Sequence, residues 1–198
     1  TFNPPAGLAA TTNITMGVFE EEKLLGMFRM TTKRQRTSDE YGFTICGILE
    51  HRGIDPEKID AVIIASVVPD IMHSFTSGII KYLDTAPVIV SAETDTGVKV
   101  LSDNPSRTGP DRIVNAAAGY AIAQGPAIVI DFGTATTYDL VGPGNTLEAC
   151  IIAPGIETAG RSLWGGAAML PAIQISKPDS ILARDTVTGM QGGLVFGA

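Results

Sequence analysis

The segment Ala61–Val68, AVIIASVV, carries one hydroxyl among otherwise apolar and mostly β-branched side chains. β-Branched residues favour extended backbone, and a run with no polar alternation reads as a strand buried on both faces. Such a strand needs helices packed above and below it, which constrains the chain to an α/β architecture. The flanks agree. Asn13–Phe19 and Lys23–Met30 read as two strands joined as a hairpin at Glu20-Glu21-Glu22. Thr37 with Glu40 fits a capping box, and Tyr41, Ile45, Ile48 and Leu49 then share one helical face. Gly53 stands where a left-handed helix cap is expected. A helix from about Ile71 to Leu83 and a strand at Pro87–Val90 continue the alternation.

After a polar stretch from Ser91 to Pro110, with a turn at Asp103-Asn104-Pro105, the pattern restarts. Asp111–Gln124 reads as an alanine-rich helix ended by Gly125-Pro126. Ala127–Ile130 reads as a buried strand, followed by strands at Ala135–Val141 and Leu147–Ile152. Turns are expected at Asp131–Thr134 and Gly142–Asn145. A helix spans about Ile156–Met169, and another, weakened by Gly189, Gly192 and Gly193, spans Asp185–Phe196. The expected organisation is two related α/β halves, 1–110 and 111–198, hinged near residue 110.

Composition excludes several function classes. A hydrophobic fraction of 44% with 18% charge suits a packed core. The net charge of −7 repels phosphate backbones and anionic lipid, so neither nucleic acid nor membrane is an expected partner. The basic run Lys33-Arg34-Gln35-Arg36 is followed at once by Asp39-Glu40 and reads as a solvated loop. Cys46 and Cys150 are far apart, each in an apolar stretch, and read as reduced, buried thiols. Residues 1–10 lack the basic start of a secretory signal, and no stretch has the length of a membrane span. A cytoplasmic location is expected. His51 and His73 are isolated, which argues against a histidine-held metal, and Trp164 near Leu163 and Leu170 reads as core packing.

Two segments carry chemistry. Asp131-Phe132-Gly133-Thr134-Ala135-Thr136-Thr137 follows the strand at 127–130, at a sheet edge where open α/β folds place ligands. Gly133 lets backbone amides approach an anion closely, and Thr134, Thr136 and Thr137 offer hydroxyls to phosphate oxygens. Asp131 is suited to a cation that balances phosphate charge. An ordinary hairpin turn with strand-forming threonines explains the same residues equally well. Gly109-Pro110-Asp111-Arg112 opens a helix. Asp111 there is either a helix cap or a base that accepts a proton from a substrate hydroxyl, with Arg112 or the helix amides binding a substrate anion. Gly142–Thr146 reads as a turn, and neither a Walker A sequence nor a Rossmann glycine fingerprint is present.

Taken together, seven stretches in order resemble the type III pantothenate kinases, the acidic bacterial enzymes that open coenzyme A synthesis. They are Thr37–Gly42, Asp103–Pro105, Gly109–Ala116, Asp131–Thr137, Ile152–Ile156, Ala167–Pro171 and Asp185-Thr186, within a similarity from about Asn13 to Gly197. The resemblance implies an actin-like ATPase (ribonuclease H-like) fold, with ATP in the cleft between two halves, built as a homodimer. It implies that Asp111 is the proton acceptor and that Gly109, Pro110, Asp111 and Arg112 line the pantothenate site, with Thr186 as a further pantothenate contact. Asp131 would be the ligand of a monovalent cation, potassium or ammonium. Gly133 and Thr134 would meet ATP, and magnesium would help to neutralise its phosphates.

The chain departs from the family at both ends. The family's first strand ends in an Asp-x-Gly-Asn-Thr phosphate loop. With Thr12 and Asn13 at the end of that loop, as nucleotide contacts, Leu8, Ala9, Ala10 and Thr11 replace its first four residues. Pro4 and Pro5 are incompatible with a central strand. The family continues for several dozen residues beyond a point like Ala198, so a truncated second half is expected. Reduced turnover is expected with it. A second class stays open: a homologue that binds pantothenate or a partner without catalysis and acts as a regulator. A truncated version of an ordinary kinase gene is a third reading.

Overall fold

The computed structural model describes residues 13–33 and 35–197. In chain order these form β1 (Asn13–Glu20), β2 (Lys23–Thr31), α1 (Ser38–His51), β3 (Ile63–Ile64), α2 (Pro69–Leu83), β4 (Val88–Ile89), β5 (Lys99–Val100), α3 (Pro110–Ala123), β6 (Ala127–Phe132), β7 (Ala135–Gly142), β8 (Thr146–Pro154), α4 (Ile156–Gly166) and α5 (Thr186–Phe196). The mixed α/β class expected from the sequence is what the chain adopts. The described part of one compact unit runs to Ile128 and includes Leu140–Ala149. A second holds Val129–Asp139 and the residues from Cys150 onward. Among the described residues no helix is long and apolar enough to cross a membrane.

In the first unit, β1 and β2 pair antiparallel, with Asn13 opposite Thr31 and Glu20 opposite Lys23. The turn needs a left-handed residue, and Glu21 supplies it at φ 52°. Strand alternation turns Phe28 and Met30 inward. The predicted capping box opens α1: the Thr37 hydroxyl accepts the Glu40 amide, and the Glu40 carboxylate accepts the Thr37 amide at 2.8 Å. Gly53, at φ 70°, follows the end of that helix as expected. Tyr41, Ile45 and Leu49 face Ile71, Phe75 and Ile79 of α2 in one buried cluster with Met30 and Ile64. Each such side chain contributes roughly 1.5–3 kcal/mol when fully buried. The Tyr41 and Phe75 rings meet edge to face at 5.2 Å. Helices α1 and α2 come this close because Gly78 is bare: a Cβ there would stand 2.5 Å from the Ser38 carbonyl oxygen.

Several expectations about burial fail for one physical reason, which is that coverage is set by distant elements. Of Ala61–Val68 only Ile63–Ile64 is strand, paired in parallel with Val88–Ile89. Ile64 enters the α1–α2 core while Ile63, Val67, Val88 and Ile89 are exposed, so one face is covered and not two. In β6, likewise, Ile128, Ile130 and Phe132 are exposed. This strand ends a sheet of order β5-β8-β7-β6. β5 was hidden in the polar stretch because it is only two residues long. It runs parallel to β8, with Lys99 opposite Thr146. The basic run is not simply solvated: the Arg36 guanidinium lies over the Tyr41 ring at 5.7 Å, and the Tyr41 hydroxyl donates to the Lys33 carbonyl at 2.9 Å. Cys46 is half-buried and Cys150 exposed, both as free thiols.

In the second unit α4 stops at Gly166, short of the expected Met169, where consecutive glycines Gly165 and Gly166 weaken it. Trp164 is half-buried, its ring against Gly160, while Leu163 is exposed. Helix α5 packs on α4 and is tied to the preceding segment by Gln191, whose Nε2 donates to the Gln174 carbonyl at 3.0 Å and lies 2.9 Å from Ser176 Oγ. The Gly142–Thr146 segment is the predicted turn between β7 and β8, with Gly144 at φ 73° and Asn145 at φ 59°.

Candidate active site

Helix α3 begins with Pro110 at its first position, where a missing N–H costs nothing. Gly109 is its N-cap and provides no side chain to cap it. Asp111 therefore sits half-buried in the first turn, its Oδ1 accepting the Arg112 amide at 2.9 Å. A Cβ on Gly109 would collide with Asp111 Oδ1, so a side chain there would push the carboxylate aside. The approach to the helix is anchored by Thr108, which is buried, donates its amide to the Pro105 carbonyl at 3.0 Å and lies 3.2 Å from the Ser102 hydroxyl. Ile113, Ala116 and Ala118 are buried and fix the rest of α3. The predicted residues Gly109, Pro110, Asp111 and Arg112 thus form one half-buried cluster in the first unit.

Asn13 is the exposed first residue of β1. Thr12 lies outside the described residues, as does the expected replacement of the first phosphate loop at Leu8–Thr11, with Pro4 and Pro5.

The Asp131–Thr137 segment differs from its sequence reading in detail. Asp131 and Phe132 belong to β6, so the bend is only Gly133 and Thr134. Gly133 turns its amide to the Ala135 carbonyl at 3.0 Å, and that N–H is not offered to a ligand as anticipated. Among the described residues, a Cβ on Gly133 would meet only the Ala135 oxygen, at 3.4 Å. Thr134 is exposed, whereas Thr136 is buried inside β7 and the Thr137 hydroxyl is buried without a hydrogen-bond partner among the described residues. Of the three predicted threonines, therefore, only Thr134 is exposed.

This bend is gripped from α4. The Thr134 carbonyl accepts the Gly155 amide at 3.0 Å and the Thr158 hydroxyl at 2.7 Å. Gly155 is buried so tightly that a Cβ would collide with the Gly133 carbonyl and stand 2.8 Å from that of Thr134. Neither Gly155 nor Thr158 was singled out from the sequence. The available signal was Pro154-Gly155, a glycine directly before a helix inside the Ile152–Ile156 stretch.

Thr186 opens α5 and is exposed; Asp185 caps that helix by accepting the Thr188 amide at 3.0 Å. Hydrogen bonds from the Thr188 hydroxyl and then its amide hold the Asp185 carboxyl below the usual aspartate range. No group of three or more His, Cys, Asp or Glu among the described residues could cage a metal.

Known proteins match this chain over nearly all of its length. The sequence model of the type III pantothenate kinases matches residues 10–198. A type III pantothenate kinase of Agathobacter rectalis is 50% identical, over 94% of this chain and 72% of its own. One from Bifidobacterium adolescentis is 43% identical, over 93% and 72%. A third, from Myxococcus xanthus, is 42% identical, over 94% and 73%. The exposed bend at Thr134 and the Asp111 cluster thus belong to a chain of the type III pantothenate kinase family.

Proposed function

We propose that this chain transfers the γ-phosphoryl group of ATP to the primary hydroxyl of pantothenate, giving 4′-phosphopantothenate and ADP, the first step of coenzyme A synthesis. The observation that carries the reading is Asp111, a half-buried carboxylate that accepts a backbone amide and has room beside it because position 109 is glycine, in a chain similar to kinases throughout. The pantothenate oxygen forms a bond to the γ-phosphorus, the bond from that phosphorus to the β,γ-bridging oxygen breaks, and the hydroxyl proton passes to Asp111. Phosphoryl transfer asks mainly for positioning and charge stabilisation, and a placed base adds roughly two to four powers of ten in rate.

Gly109, Pro110, Arg112 and Thr186 are assigned to pantothenate, and Asn13, Gly133 and Thr134 to ATP, with Thr12 beside Asn13 in the sequence. Asp131 is assigned to a monovalent cation, potassium or ammonium. Magnesium and that cation supply charge neutralisation at the phosphates when bound. The exposure of Thr134 supports the ATP assignment. The same reading includes the actin-like fold in two halves, 1–110 and 111–198, a homodimer, and a cytoplasmic protein that binds neither nucleic acid nor membrane. Mass-spectrometric detection of phosphopantothenate from pantothenate, MgATP and ammonium tests it, and a folded chain that makes none contradicts it.

A further inference from the structure

A carbonyl oxygen has two lone pairs, and at Thr134 both are taken by donors from the first turn of α4, the Gly155 amide and the Thr158 hydroxyl. A threonine at this point of a helix commonly bonds within its own segment. Thr158 reaches across 24 positions of sequence instead. Because the peptide after Thr134 is planar and trans, fixing its carbonyl against α4 also turns the opposite edge of that peptide away from the helix. Gly155 closes the arrangement, since any side chain there would push on both bend carbonyls. The bend's own amide at Gly133 is occupied within the loop, by the Ala135 carbonyl at 3.0 Å.

We infer that Gly155 and Thr158 are positioning residues for the nucleotide: they set the plane of the peptide after Thr134, so that the Thr134 hydroxyl meets an ATP phosphate oxygen. This rests on the assignment of Thr134 to ATP. Neither residue touches the reacting atoms.

The test is MgATP affinity by titration calorimetry, without pantothenate, for wild type, Thr158→Val and Thr158→Ser, followed by steady-state kinetics. Valine keeps the shape and removes the donor; serine keeps the donor. Thr158→Val is expected to weaken MgATP binding about threefold to tenfold, the effect of one lost hydrogen bond. Its KM for pantothenate stays within about twofold of wild type, and Thr158→Ser binds MgATP like wild type. Thr158→Ala is read in the same way should valine fail to fold. Equal MgATP affinity for wild type and the donor-less variant overturns the inference. So does a parallel weakening of both substrates together with a lower Tm, which is the mark of a merely structural role. Wild type that binds MgATP yet makes no phosphopantothenate contradicts the kinase reading alone, and the affinity ratio still decides the role of Thr158. Wild type that binds no MgATP overturns both.

Discussion

Gly109 and Asp111 are fitted to each other: the Asp111 carboxylate occupies the space that any side chain at position 109 would need. The sequence shows a glycine two residues before an acid, but only the geometry shows that the first keeps room for the second.

Gly109→Ala should therefore damage catalysis more than stability. The added methyl displaces the Asp111 carboxylate, and misplacement of a catalytic group by about 1 Å costs on the order of a hundredfold in rate. Initial rates should fall at least about tenfold with little change in Tm. A rate within twofold of wild type, on the order of experimental scatter, would show that the carboxylate has another productive position.

Two glycines of the helical pair should respond oppositely to alanine. At Gly47 a Cβ meets nothing within 4 Å, so Gly47→Ala should raise stability by about 0.5–1 kcal/mol through backbone entropy. At Gly78 the same methyl meets the Ser38 carbonyl, main chain that cannot swing aside. Overpacking costs about 1–3 kcal/mol, which exceeds the helix-propensity gain of about 1 kcal/mol. Thermal unfolding should show Tm moving up for the first and down for the second.

Acid should loosen α5 through Asp185. Its carboxyl is depressed by the Thr188 hydroxyl and amide, so its folded pKa lies below its unfolded one. The stability it contributes is present above the unfolded value, about 3.9, and is lost as pH falls through the lower folded value. Asp185→Asn retains an acceptor for the Thr188 amide but has no charge to lose. Its Tm should fall less steeply than that of wild type as the pH drops below about 4. Parallel curves would refute the assignment. Because Asp185 is exposed, the difference should shrink in high salt.

Asp131→Asn should raise the concentration of potassium or ammonium needed for half-maximal rate while leaving the KM for pantothenate unchanged. An unaltered cation dependence would remove Asp131 from that role.

What the sequence displayed was mostly local. The capping box at Thr37 and Glu40, the left-handed Gly53 and the Glu21 hairpin depend on residues within a few positions, and each is present. Burial was misread at Ala61–Val68 and in β6, because an apolar run reports what a strand tolerates and not what covers it. The Asp111 cluster was legible because its four residues are contiguous. The grip of Gly155 and Thr158 on Thr134 was not, because it joins residues more than 20 positions apart through a main-chain carbonyl that leaves no trace in residue type.

The most direct measurement compares phosphopantothenate formation by wild type and Asp111→Asn in MgATP, pantothenate and ammonium. Asparagine keeps an oxygen for the Arg112 amide and so preserves the local geometry, while it removes the carboxylate proposed as the proton acceptor. Product from wild type, with the initial rate lowered by about a hundredfold or more in the variant, is the predicted result. Equal rates for the two proteins, or no product from folded wild type, would contradict the account.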